Sequence, residues 1–409
     1  MPKTTLPDPA PSPLKPSLRL ASIDVFRALT MFLMIFVNDL DPIPKVPEWI
    51  KHVGSNTDGL GFADTIFPAF LFIVGLSIPF ALRNRMAKGD STLQLAQYIG
   101  ARAFALLLMG FFQVNLENYN IASAPLPKAV WEIAITLGFF AIWLDYPKDM
   151  QRRKRLLAQC GGAALLAGMA LLYKGGTLED PEGLSPQWWG ILGLIGWSYL
   201  LCAFVFLLSK GRLSIQVAAL AFFLVFNIAA HAHWLPALSG IRHYVWIAGN
   251  GAMPALTMGG VVISVLYGAA ETAGRRRPAF QRLLIGLGAA AIGLGFALRF
   301  LGGISKIHDT PSWVLICMGI SIWVFDALVY LVDVRGKQNW FRYIKPAGTS
   351  TLTCYLIPYL LYSVYALCHF RFPLLLNEGT GGLIKSLVTA YAVVWMAGWL
   401  EKRRLRLKV

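Results

Sequence analysis

R19LASIDVFRALTMFLMIFVNDL40 is an apolar run, and a second one, G61FADTIFPAFLFIVGLSIPFAL82, follows after the polar loop 41–60. Each run is long enough for the roughly 20 residues that cross a bilayer as a helix. The first run nevertheless carries Asp24, Arg27 and Asn38, which share one helical face within about 60°. The stripe from Asp24 to Asn38 is roughly 21 Å long at 1.5 Å per residue. Because ionisable groups inside a membrane are costly, we interpret this stripe as a candidate functional site.

Composition places the whole chain in the same class as these two runs. Of its 409 residues 56% are apolar and only 14% are charged, which indicates a polytopic membrane protein in a lipid bilayer rather than a soluble one. The formal net charge of +16 comes from short basic clusters between apolar runs. We read those clusters as topology signals and predict no nucleic-acid partner. The five cysteines form no CxxC pair and no His/Cys spacing typical of zinc, so we predict neither disulfides nor a metal site.

The alternation of apolar runs and polar breaks predicts an all-α bundle of about twelve transmembrane helices. Alternate connecting segments, with the two ends, hold 26 Lys and Arg on one side and six on the other. Positive charge is retained in the cytoplasm, so we predict that both termini are cytoplasmic. The predicted spans are 20–40, 61–82, 95–114, 128–146, 156–173, 189–208, 214–230, 252–271, 283–301, 313–332, 348–368 and 383–400.

The organisation along the chain is simple. Residues 1–18 hold six prolines and no apolar core, which predicts a disordered cytoplasmic tail. Residues 19–409 are predicted to form a single transmembrane domain whose first span is retained rather than cleaved. On the predicted topology all six histidines lie in or beside outward-facing loops, where proton-transfer chemistry at the outer face would need them.

The stretch 19–82 resembles the heparan-alpha-glucosaminide N-acetyltransferase family of transmembrane acetyltransferases. The family pattern is an Arg, Ser-x-Asp-x-Phe-Arg-Gly, an apolar run ending in Val-Asn, a loop with Lys-His, and Gly-Leu-x-x-Ala-Asp-x-x-Phe-Pro-x-Phe-x-Phe-x-x-Gly. This chain departs from it at Ala28, which replaces a glycine, and in a His52-to-glycine spacing about two residues longer. The matching residues are Arg19, Ser22, Asp24, Phe26, Arg27, Val37, Asn38, Lys51, His52, Gly59, Leu60, Ala63, Asp64, Phe67, Pro68, Phe70, Phe72 and Gly75.

The resemblance implies acetyl transfer across a membrane, from cytoplasmic acetyl-CoA to an amine or hydroxyl, typically of a sugar, on the far side. It also implies that a histidine in the outward loop is catalytic, and His52 matches that position. An imidazole suits removal of a proton from the acceptor, and it can also accept the acetyl group covalently. The sequence does not choose between these two routes.

Five other residues are candidates for the same site. Asp64 either caps the second helix or orients His52, and Asn38 either makes a structural hydrogen bond or orients the histidine, the substrate or the thioester. Asp24, Arg27 and Arg102 are the candidate donor-binding residues: either Asp24 and Arg27 simply pair with each other, or Arg27 and Arg102 contact the phosphates of CoA near the cytoplasmic side. Glu132 and Asp326 are predicted to pair with buried arginines such as Arg102 or Arg299 rather than to catalyse.

We therefore expect an integral-membrane acyltransferase of a bacterial inner membrane. It would use acetyl-CoA as cosubstrate, no metal, and a saccharide or another small outer-face acceptor; the sequence leaves a homodimer open. The alternative is a transporter or flippase that keeps the scaffold and lacks the chemistry. The loop that carries His52 departs from the family pattern, and this departure leaves the alternative open.

Overall fold

The computed structural model describes residues 20–177, 179–238, 240, 250–272 and 277–409. The predicted tail 1–18, Arg19 of the motif and His243 lie outside these residues. The described chain contains thirteen α-helices: α1 (Ala21–Leu40), α2 (Ala63–Ala87), α3 (Thr92–Val114), α4 (Lys128–Trp143), α5 (Arg152–Leu172), α6 (Ile191–Leu208), α7 (Leu213–His231), α8 (Ala252–Thr272), α9 (Arg277–Ala297), α10 (Pro311–Leu328), α11 (Lys345–Thr349), α12 (Thr351–Leu367) and α13 (Gly379–Lys402).

Other regular structure in the described residues is short. Two strands of two residues each, β1 (Gly175–Gly176) and β2 (Pro181–Glu182), pair antiparallel. A π-helical turn, Val329–Val334, continues α10. Short 3-10 helices occupy Glu48–Ile50, Pro236–Leu238, Lys337–Phe341 and Leu374–Leu376.

The predicted fold class, a polytopic all-α membrane bundle, is confirmed. Ten helices of the described chain are long and apolar enough to cross a membrane: α1, α2, α3, α5, α6, α7, α8, α9, α10 with its π-helical continuation, and α13. At the two remaining predicted spans the structure has shorter helices, α4 with 16 residues and α12 with 17. The number of helices that cross the bilayer and the side on which the termini lie stay predictions.

The helices differ in how much of their surface the protein itself covers. In α8, α10, α2, α6 and α1 more than half of the apolar window is buried inside the protein, whereas α5, α7 and α9 bury less than a quarter of theirs. Exposed apolar helix surface in a membrane protein faces lipid. The first group therefore forms the centre of the bundle, and the second group lies at its periphery.

Close backbone contact between α2 and α8 fixes the centre. A Cβ atom on Gly75 of α2 would lie 1.8 Å from the carbonyl oxygen of Thr257, and one on Gly260 of α8 would lie 2.0 Å from that of Phe72. Small residues at such crossings let two membrane helices approach backbone to backbone. This contact also fixes the start of α2, where the candidate carboxylate Asp64 lies.

Candidate active site

His52 and Asp64 form the core of the candidate site. The Nδ1 atom of His52 lies 2.7 Å from Oδ1 of Asp64. The imidazole is 25% exposed and the carboxylate only 2% exposed, so the pair has a buried side and an accessible side. With Nδ1 bonded to the carboxylate, Nε2 is the ring nitrogen left to react. Of the two roles considered for Asp64, the geometry matches orientation of the histidine.

Backbone donors hold the Asp64 carboxylate in place. Its Oδ2 atom accepts hydrogen bonds from the backbone N–H of Val53 at 3.0 Å and of Gly61 at 3.1 Å. Gly61 passes so close to the loop before it that a Cβ atom there would lie 2.0 Å from the Lys51 carbonyl oxygen. The N-cap position of α2 belongs to Phe62 and not to Asp64. The loop therefore folds back onto the first turn of α2 and carries His52 to the carboxylate.

Trp313 supports the same turn from the other side. Its indole Nε1 donates a hydrogen bond of 3.1 Å to the backbone carbonyl of Asp64, and its side chain is fully buried. Trp313 lies in the first turn of α10, whose N-cap is Thr310. Thus α10 and α2 together fix the position of the carboxylate.

Lys306 lies beside His52, although the sequence did not single it out. Its Nζ atom lies 3.2 Å from Nδ1 and 3.4 Å from Nε2 of His52. Burial lowers the pKa of Lys306, while the nearby carboxylates of Asp64, Asp41 and Asp309 act in the opposite direction. The only sequence signal for it was its place among the six cations of the predicted outer segments, which says nothing about contact with His52.

Asp58 joins the loop that carries His52 to the loop that carries Lys306. Its carboxylate accepts hydrogen bonds of 2.7 Å from the backbone N–H of Ile304 and from Nε of Arg299. The backbone N–H of Gly59 donates to the Ile304 carbonyl at 3.1 Å. The Ile304 hydrogen bond, and next the Arg299 hydrogen bond, lower the pKa of Asp58 below its ordinary value. These contacts hold the amine against the imidazole.

The three residues predicted to bind the donor lie together in a separate cavity. Asp24, Arg27 and Arg102 all line a cavity of about 580 Å³ between α1, α2, α3, α6 and the segment around α11. Arg406 and Lys408 line it as well, although the sequence did not single them out. Along α1 the lining extends from Leu20 to Met34, which corresponds to roughly 21 Å of helix. The cavity is thus long and carries its charges at one end.

The arginines at the charged end of the cavity differ in their partners. Arg27 contacts Asp24 at 3.2 Å and the hydroxyl of Ser77 at 2.6 Å, so the predicted Asp24–Arg27 pair is present. Arg102 bonds the hydroxyl of Tyr98 and stacks over the ring of Tyr199, 5.0 Å from its centroid. Within the described chain no carboxylate lies at ion-pair distance from Arg102.

Arg406 and Lys408 share one acidic partner, Asp145, which lies in the loop between α4 and α5. Arg406 and Lys408 contact Asp145 at 3.2 and 3.3 Å, and Arg406 also contacts Glu401 at 2.7 Å. Burial alone would raise the pKa of Asp145, but the hydrogen bonds from Lys408 and Arg406 outweigh burial and lower it. The paired cations and Arg102 together give this end of the cavity its positive character.

Asn38 lies apart from both groups. It is exposed near the end of α1, one helical turn beyond Met34, and the cavity lining does not include it. The neighbouring Asp39 is the buried polar residue there, with the Tyr362 hydroxyl at 2.6 Å, the Ser386 hydroxyl at 2.7 Å and Lys385 at 3.4 Å. The sequence analysis did not select Asp39, although an acidic residue inside an apolar run is itself a signal of a buried polar contact.

The prediction that Glu132 and Asp326 pair with Arg102 or Arg299 is wrong for the described chain. Glu132 accepts a hydrogen bond from the Ser363 hydroxyl at 2.8 Å, and Arg299 pairs with Asp58. The positions of these residues along the helices do not bring the acids to the arginines.

Comparison with known proteins agrees with the resemblance seen in the sequence. The chain is 38% identical over 102 residues to heparan-alpha-glucosaminide N-acetyltransferase of Homo sapiens and 39% identical over 102 residues to that of Mus musculus. The aligned segment covers 25% of this chain and only 14% of each relative. A family model described as a domain of unknown function (DUF5009) matches residues 19–234, just over half of the chain. The chain therefore belongs to the DUF5009 family and resembles the transmembrane acetyltransferases in part of its length.

Proposed function

We propose that the protein is a transmembrane acetyltransferase that moves an acetyl group from acetyl-CoA to an amine or hydroxyl of a saccharide-type acceptor on the opposite side of the membrane. The observation that carries the proposal is that one cavity is lined by Asp24, Arg27 and Arg102. The relatives named above are acetyltransferases, and the short segment that they share with this chain supports the same reaction class.

The cavity suits the shape and charge of the donor. A CoA nucleotide is polyanionic, and arginine binds phosphate through a planar, multidentate set of donors. Arg27, Arg102, Arg406 and Lys408 supply cations at one end of the cavity, while Met31 and Met34 line its apolar continuation along α1. We propose that the nucleotide binds at the arginines and that the pantetheine arm extends toward Met34.

His52 then serves the reacting end of the donor. Its Nε2 atom removes the proton of the acceptor amine or hydroxyl as the acceptor attacks the thioester carbonyl, and Asp64 holds the ring and stabilises the imidazolium that forms. The covalent route, in which Nε2 first accepts the acetyl group, uses the same nitrogen. Either route requires the thioester to pass beyond Met34 toward the end of the bundle that carries His52. Asn38 lies one helical turn beyond Met34 on α1, and we propose that it orients the thioester or the acceptor there.

The sharpest test of donor binding is thermal stabilisation of the detergent-purified protein by CoA. A ligand that binds only the folded state raises the apparent stability by RT ln(1 + [L]/Kd). We expect stabilisation of the wild type and a loss of about tenfold or more in affinity for Arg102→Met, because one charged hydrogen bond contributes about 1.5–3 kcal/mol.

Arg83→Met is the matched control for Arg102→Met. Arg83 also stacks on an aromatic ring, 5.8 Å from the centroid of Phe206, but it does not line the cavity. Its variant should bind CoA like the wild type. Absence of any stabilisation of the wild type at millimolar CoA would contradict the acetyltransferase and favour the transporter or flippase alternative.

A further inference from the structure

The amine of Lys306 lies beside the reacting nitrogen of the candidate site. Its Nζ atom is 3.4 Å from Nε2 of His52, longer than the 2.7–3.2 Å of a strong hydrogen bond. Within the described chain no carboxylate lies at ion-pair distance from it. The amine is therefore held beside the imidazole without a fixed acidic partner of its own.

Two loops fix Lys306 in this position. Its neighbours Ile304 and Ser305 are buried, and Ile304 exchanges hydrogen bonds with Asp58 and Gly59 of the loop that carries His52. The backbone N–H of Ser305 donates to the Thr310 hydroxyl at 3.0 Å, at the start of α10. The lysine backbone is thus attached to the same frame as His52 and Asp64. A donor that is already in place costs little reorganisation when charge develops next to it.

We propose that Lys306 stabilises the oxyanion formed during acetyl transfer at His52; this assignment rests on the proposed function above. A thioester carbon attacked by an acceptor bonded to Nε2 lies close to that nitrogen. Its carbonyl oxygen is then within reach of the Lys306 ammonium, which turns from the ring to the oxygen. Removal of bulk water from a half-buried amine strengthens such an interaction.

The step balances without any further reactant. The acceptor nitrogen or oxygen forms a bond to the acetyl carbonyl carbon, and the π electron pair of that carbonyl moves to its oxygen, which accepts a hydrogen bond from Lys306. His52 Nε2 takes the proton of the acceptor. When the carbonyl reforms, the C–S bond breaks, and the CoA thiolate leaves with the proton from His52.

The test compares Lys306→Met and Lys306→Arg with the wild type, using labelled acetyl-CoA as donor and glucosamine as acceptor, with acetyl-CoA hydrolysis measured in parallel. Loss of one oxyanion donor lowers kcat by about 10²–10³-fold. We expect that loss in Lys306→Met for both reactions, with CoA affinity unchanged and a substantial recovery in Lys306→Arg. Lys45→Met is the control, because Lys45 is an exposed cation paired with Glu378 and should not change kcat.

The pH profile separates this role from an indirect one. Loss of an oxyanion donor lowers kcat across the whole pH range, including the plateau of the profile. A Lys306→Met variant that folds with the wild-type melting temperature and keeps its kcat would overturn the assignment, and so would a variant that only shifts the midpoint. A wild type that binds CoA but transfers and hydrolyses nothing would instead overturn the proposed function, and this assignment with it.

Discussion

His52 is the residue on which the proposed chemistry depends, because Asp64 occupies its Nδ1 atom and leaves Nε2 to react. We predict that His52→Gln lowers acetyl transfer by about 10²–10⁴-fold, the usual contribution of general acid–base catalysis. Stabilisation by CoA should remain, since His52 does not line the donor cavity. His369→Gln is the matched control, an exposed histidine in another loop. Retention of more than about a tenth of the transfer rate by His52→Gln would mean that another group acts as the base.

Asn38 and Asp39 are adjacent, and the structure predicts opposite consequences for their loss. Asn38→Ala should lower turnover and leave the melting temperature unchanged, because its side chain is exposed. Asp39→Ala should reduce stability by about 3 kcal/mol or more, since it leaves Lys385 without its buried carboxylate. Thermal melts and single-turnover rates of both variants measure the two effects. A strong loss of stability in Asn38→Ala would contradict the assignment of the two roles.

At the scale of the helix, the α2–α8 crossing admits no larger residue at Gly75. Gly75→Ala places a Cβ atom 1.8 Å from the Thr257 carbonyl oxygen, so the two helices must move apart. Overpacking of this kind costs about 1–3 kcal/mol, and we expect a lower melting temperature. Gly100→Ala on α3 is the control, because no atom lies within 4 Å of the position that its Cβ would take and alanine favours a helix. Equal melting temperatures for the two variants would show that α2 and α8 do not cross this closely.

The contact between the two loops at Asp58 has a defined pH dependence. The Ile304 and Arg299 hydrogen bonds lower the pKa of Asp58 from its ordinary value of 3.8. A carboxyl group with a lowered folded-state pKa stabilises the fold above its unfolded pKa, and that contribution is lost as the pH falls through the folded value. We predict that the melting temperature of the wild type exceeds that of Asp58→Asn at about pH 6 and that the difference shrinks below pH 3.8. A difference that is constant with pH would contradict the role of the charge.

At the scale of the whole molecule, the sequence was enough to predict the helices, because apolar runs separated by charged breaks have few alternatives in a membrane. It also named orientation of His52 as one of two roles for Asp64. It predicted that Arg27 and Arg102 lie toward the same side of the membrane, since each lies toward the same end of its span. The sequence could not predict contacts between segments that are far apart in the chain. Lys306 is 254 residues from His52, and only the packing of α10 against α2 brings them together.

The sequence also could not show which side of α1 faces the protein at its end. Asn38 and Asp39 are both polar, and periodicity alone favoured Asn38 because it continues the face of Asp24 and Arg27. The structure buries Asp39 instead, where Tyr362 of α12 and Ser386 of α13 supply its partners. Those partners come from the last two helices, whose position around α1 is a property of the whole bundle.

The proposed function requires the acetyl group to cross the membrane, from a donor on one side to an acceptor on the other. Proteoliposomes that hold labelled acetyl-CoA inside and glucosamine outside test it directly, with protein orientation determined by protease accessibility. We predict labelled N-acetylglucosamine outside and CoA retained inside. The amount should be proportional to the fraction of protein whose Arg27 end faces the lumen, and His52→Gln should form almost none. Transfer that occurs only when donor and acceptor share one compartment would contradict it.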